Sequence, residues 1–178
     1  MSSAAAGVSR RGVLKLGLGA TAFLSTAGLT ASLSGCSSGS AATGFSVLRA
    51  SDLPFLRAAI PVMLDGALAG VSLQNAVDQT LHSLDHGLAR LSPEMLKLTQ
   101  QLFDVLAMAI TRGPLTGIWG SWESADAGSI RHFLERWKNS SLNLLRQGHS
   151  SLLQLVLMAW YSRPDAWAQC GYPGPPKI

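Results

Sequence analysis

In 178 residues, 14 Lys and Arg stand against 10 Asp and Glu, a formal net charge of +4. Three of those bases, Arg10, Arg11 and Lys15, fall in the first 35 residues, which hold no acid, so residues 36–178 carry 11 bases and 10 acids. So even a balance, without a dense basic run, argues against a nucleic-acid surface. The two cysteines, Cys36 and Cys170, are too few for a disulfide framework, a cysteine zinc site or an iron–sulfur cluster.

Near its start the chain carries Ser9-Arg10-Arg11-Gly12-Val13-Leu14-Lys15 and continues into an apolar run from Leu16 to Leu33, diluted by Gly17, Gly19 and Gly28. A membrane-spanning helix needs about 20 strongly apolar residues, so this run is expected to be a removable signal. The Arg10-Arg11 string resembles a twin-arginine export signal, an address read by a receptor. Leu33-Ser34-Gly35-Cys36 resembles a lipoprotein processing box, which would leave Cys36 as an acylated first residue. Several acyl chains on one residue anchor stably, where a single chain binds only marginally. The expected organisation is a signal peptide at 1–35, a flexible Ser- and Gly-rich tether at 36–44, and one helical domain at 45–178. The expected address is the periplasm, lipid-anchored to a membrane.

From residue 45 on, helix signals dominate and no segment alternates apolar and polar residues. The expectation is an all-α fold of about five helices. Ser51-Asp52 offers a cap, Leu53-Pro54 enters a first helix, Pro61 kinks or splits it, and the apolar stretch runs to Leu68 before Gly70. Ser72 caps a second helix with Leu73, Val77, Leu81, Leu84, Leu88 and Leu91 on one stripe. Gln74, Asn75, Asp78, Gln79, His82 and Asp85 fall on the solvated face. Ser92-Pro93-Glu94 starts a third, with Met95, Leu98, Leu102, Val105 and Ala109 inward and Arg112-Gly113-Pro114 as its stop. After a loop holding Trp119 and Trp122, a fourth helix spans roughly Ala125 to Lys138 around Ile130, Phe133, Leu134 and Trp137. A fifth extends to about Tyr161. It is almost wholly apolar from Leu152 to Trp160, so it must be central or help cover a partner. Pro164-Asp165-Ala166-Trp167 suggests one more turn, and Gly171–Pro176 an extended tail with polyproline character.

Chemistry is sparse. His82 and His86 are spaced to share a metal on one helix face, but no third ligand or neighbouring glutamate base accompanies them; two solvated histidines is the simpler reading. No serine lies in a nucleophile elbow and no glycine-rich loop follows a strand. No nucleophile–base–orienter set can be assembled, so no catalytic, cofactor or metal residue is assigned. The residues alone leave two readings open: a stand-alone lipoprotein binding a small ligand among its tryptophans, and a small metal enzyme using His82 and His86. The stretch from Arg112 to Trp119 and the tail Gly171–Pro176 combine rigid Pro and Gly with large aromatics, which suits docking because little conformational entropy remains to be lost.

Four features in order resemble one family: the twin-arginine leader, a small helical domain, Phe133-Leu134-Glu135-Arg136-Trp137 before an apolar helix, and Tyr161-Ser162-Arg163-Pro164-Asp165-Ala166-Trp167 followed by Gly171-Tyr172-Pro173-Gly174-Pro175. The chain resembles the gluconate 2-dehydrogenase subunit 3-like small subunits of membrane-bound flavoprotein sugar and alcohol dehydrogenases, best over residues 112–176. The resemblance implies a non-catalytic partner of a large subunit of the glucose–methanol–choline (GMC) class, which holds FAD and performs the oxidation. The small subunit would carry the large one through the twin-arginine translocase and stay with it, and a cytochrome c subunit often accompanies such pairs. On that reading Trp119, Trp122, Trp160, Trp167, Tyr172 and Pro173 contribute to the partner interface.

Overall fold

Leu53-Pro54 starts α1 (Leu53–Met63), with the proline in the first turn, where its missing N–H is not needed. The computed structural model describes residues 39–176 apart from 69, 168, 169 and 175. Arg10, Arg11 and Cys36 lie outside the described residues. Asp52, the expected cap, makes no side-chain capping bond. Its carboxylate is taken by Arg49, which donates from its amide (2.9 Å), Nε (3.0 Å) and Nη2 (2.8 Å). Arg49 Nη2 also reaches Asp104 at 2.7 Å. The hydrogen bond to Asp52 and the charges of both acids hold the guanidinium above its ordinary pKa despite burial. Pro61 stays inside α1, and Arg57, four residues earlier, is exposed, so the carbonyl that Pro61 cannot satisfy lies at the water side. The helix stops short of Leu68, and the chain winds through turns past Gly66 at φ +86°.

Ser72 precedes α2 (Leu73–Leu88), which buries Val77, Leu81, Leu84 and Leu88 as the spacing predicts, while Leu73 stays exposed. Asp85 corrects the expectation of a solvated acid, being only 6% exposed. It accepts the amides of Ser46, Val47 and Leu48, each at 2.8 Å. Burial alone would raise its pKa; the three amides, led by Leu48, outweigh that and hold it below the ordinary carboxylate value. This carboxylate fastens the segment before α1, where Ala41 also bridges to Arg49.

Ser92 Oγ caps α3 (Pro93–Ala107) by accepting the Met95 amide at 3.3 Å. The expected inward stripe is rotated. Met95 and Leu98 are exposed and Leu102 is half-buried, while Phe103 and Leu106 enter the core. Phe103 sets this choice, meeting Phe55 of α1 edge-on at 5.2 Å. Arg112-Gly113-Pro114 does not end the helix. The break comes at Met108, which adopts an extended backbone (ψ 129°), and a separate α4 (Ala109–Thr116) carries Pro114 within it.

A 3-10 turn at Trp122–Ser124 leads to α5 (Ala127–Lys138). Asp126 caps it, accepting the Ser129 amide at 2.9 Å, and Ile130, Phe133, Leu134 and Trp137 are all buried as expected. Next come α6 (Asn143–Tyr161) and the single turn α7 (Pro164–Trp167). The described residues thus hold seven α-helices and no strand. The fold is all-α, with two helices beyond the expected five because Met108 splits the third and the anticipated last turn forms. Among the described residues no helix is long and apolar enough to cross a membrane.

Helix α6 is the centre: α2 and α5 pack along it and α7 returns onto it. Gly148 permits the close approach of α5, since a Cβ there would sit 2.8 Å from the Trp137 ring. Leu152, Val156, Ala159 and Trp160 form its buried line, but Leu144 and Met158 face outward, so one side of this apolar helix is uncovered. Through the core runs an aromatic chain, Phe103–Phe55–Trp122–Phe133–Trp137, with centroids 5.0 to 6.1 Å apart and rings tilted or edge-on. Such pairs contribute about 0.5–1.5 kcal/mol each beyond the area they bury.

Candidate partner interface

The break at Met108 frees helix carbonyls that need new donors. Thr111 Oγ1 donates to Val105 O at 2.8 Å. Trp122 Nε1 donates to Leu106 O at 2.8 Å, which draws Trp122 into the core, where it is 2% exposed. At its far end α4 closes on Gly117, left-handed at φ +82°, a conformation that glycine adopts without steric cost. Thr116 Oγ1 accepts the Ile118 amide at 3.1 Å and Ile118 is buried. Two side chains of α5 reach across to the end of α4: Arg136 donates to Leu115 O, and Trp137 Nε1 donates to the same oxygen at 2.8 Å.

Between these two anchorages stands Trp119. Its indole lies against the backbone of α4, so closely that a Cβ on Gly113 would be 2.6 Å from the ring. One face is thus fixed, yet the residue is 78% exposed. Ile110, one turn before Pro114 on the same helix, is 82% exposed, and Met108 and Pro114 are also exposed. Water can reach the carbonyl of Ile110 that Pro114 cannot satisfy. The result is an outward apolar corner on a helix held at both ends.

The second aromatic group lies at the C-terminus. Trp167 Nε1 donates to Tyr161 O at 2.8 Å, and Tyr172 meets Trp167 edge-on at 5.4 Å. The tail turns at Gly171 (φ +70°) and lies against Trp167, with Gly174 near enough that a Cβ would be 3.3 Å from the ring. Tyr172 and Pro173 are exposed and Trp167 is half-buried. Trp122 and Trp160 belong to the chain's own core. Of the residues singled out for a partner, then, Trp119, Trp167, Tyr172 and Pro173 reach the surface. Met108 and Ile110 escape the sequence reading because the third helix is expected to run unbroken to Arg112, whereas it breaks at Met108; the apolar pair in Met108-Ala109-Ile110 is the available signal.

His82 stacks on Phe45 at 4.8 Å, nearly parallel, and no group of three potential metal donors gathers among the described residues. Cys170 is exposed, its thiol donating to Trp167 O at 3.3 Å. A groove of about 530 Å³ beside α1 is lined by Leu53, Pro54, Ala58, Pro61 and Val62, with Trp122 at its floor and Arg57 and Glu123 among its walls. No family model, curated protein or solved structure matches this chain.

Proposed function

We propose that this chain is the non-catalytic small subunit of a FAD-dependent GMC-type dehydrogenase, escorting the large subunit through the twin-arginine pathway and holding it at the periplasmic face of a membrane. The observation that carries the reading is Trp119. An indole that is seated against a glycine and largely exposed is a preorganised anchor, because little side-chain entropy is left to lose on binding. The leader and the residues 112–176 that resemble gluconate 2-dehydrogenase subunit 3-like chains supply the identity of the partner. FAD belongs to that partner, and a cytochrome c subunit would complete the electron path. Co-expression tests the reading: with Arg10→Lys and Arg11→Lys together, the large subunit is expected to vanish from the periplasm, and undiminished export would sink the escort role.

A second reading, a stand-alone lipoprotein binding a small apolar ligand, is favoured by the groove beside α1, whose volume and apolar walls suit one. Purification of the chain without a partner separates the two. A soluble, cooperatively unfolding monomer supports the ligand-binding reading, and aggregation supports a missing subunit.

A further inference from the structure

The concavity where α5 hands over to α6 has no part in either reading. It is an open depression of about 400 Å³, lined by Lys138 from the last turn of α5 and by Asn143, Arg146, Gln147, His149, Ser150, Ser151 and Gln154 of α6. Three of these are nitrogen bases and five are neutral donors. No acid belongs to its lining among the described residues. Arg146 is already oriented, its guanidinium donating to Ser140 O and to Asn143 Oδ1. Lys138 pairs with Glu135 at 3.6 Å, with both side chains more than half exposed; such a pair contributes little and is readily exchanged. His149 titrates below its ordinary value, first through burial and then through the charge of Lys138, against a smaller opposing pull from Glu135.

We infer that this concavity binds a phosphate-class anion. Its cations and neutral donors come from two helices, and a tetrahedral phosphate, with four oxygens, can accept from more of them than a planar carboxylate with two. Hydrogen bonds to ionised partners are the strong ones, and Arg146 adds a second fixed positive charge to the same lining. The same chemistry comes from a free phosphate or from a lipid headgroup.

The test uses the full chain carrying Cys36→Ser, so that no acyl chain drives vesicle binding. His149 is titrated by NMR in inorganic phosphate and in sodium chloride of equal ionic strength, and again with phosphatidylglycerol or phosphatidylcholine vesicles. An anion beside the ring favours the imidazolium, so the His149 midpoint is expected to rise in phosphate while those of His82 and His86 stay in place. A rise with phosphatidylglycerol vesicles alone assigns the ligand to a headgroup, and a rise with phosphate alone assigns it to a free ion. Lys138→Gln, with an unchanged circular dichroism spectrum, is expected to weaken whichever binding is seen by about tenfold. The same His149 midpoint in every medium overturns the site, as does binding that Lys138→Gln leaves intact.

Discussion

Two tryptophans three residues apart meet opposite fates. Trp122 is buried, linked to Phe55 and Phe133, and donates to Leu106 O. Trp119 lies on Gly113 and faces outward. Nothing intrinsic to the residue type separates them. The difference is a carbonyl: the break at Met108 leaves Leu106 O without its helical donor, and only Trp122 is placed to supply one. Satisfying a buried backbone group helps to hold Trp122 inside, whereas Trp119 has no such duty and its outer face is free to serve as a contact surface.

Breaking the buried member should cost most. Trp122→Ala is expected to lower unfolding stability by about 3–5 kcal/mol, read from denaturant midpoints at constant m. Trp122→Phe keeps an aromatic ring but removes the N–H that Leu106 O accepts, and should cost about 1–3 kcal/mol. A loss near zero would show that the carbonyl does not decide the placement.

Asp85 extends the comparison to an acceptor serving orphaned donors. Asp85→Ala should destabilise by about 3 kcal/mol, since the amides of Ser46, Val47 and Leu48 lose their common partner. The sign with pH is fixed by its lowered folded value. The contribution is fully present above the unfolded value, near 3.8, and is lost as pH falls through the folded one. Acid titration of unfolding stability in the parent and in Asp85→Asn checks this: only the parent should show that loss.

The exposed member should behave in reverse. If the chain is the proposed small subunit, Trp119→Ala weakens binding of the large subunit about thirtyfold while moving the chain's own stability by less than about 0.5 kcal/mol, measured by calorimetric titration and thermal unfolding. Gly113→Ala is the subtlest test. Alanine favours the helix by about 1 kcal/mol, but its methyl displaces the indole. Affinity should fall about tenfold with stability nearly unchanged, and the near-ultraviolet circular dichroism of Trp119 should weaken.

The elements were unevenly readable from residue order. In α5 the four apolar positions agree on one face and all four are buried, while Asp126, expected within the helix, caps it instead. In α3 apolar residues occur almost all round, so spacing alone could not choose between Met95 and Leu98 on one side and Phe103 and Leu106 on another; contact with Phe55 did. Pro114 read as a stop because a proline removes a helical donor, yet it is tolerated where the orphaned carbonyl is exposed to water. Asp85 read as solvated because its neighbours on α2 are polar, and only the arrival of residues 46–48 from elsewhere in the chain buried it.

By itself the amino-acid order determined the helical class, the start of α3 and the buried face and end of α5, because caps, apolar spacing and helix propensity act over a few neighbouring residues. Tertiary structure decided which face of α3 turns inward, which tryptophan is core and which is surface, and where a buried carboxylate is needed. Each of those depends on a backbone group or ring brought from a distant segment, and local spacing carries no record of it.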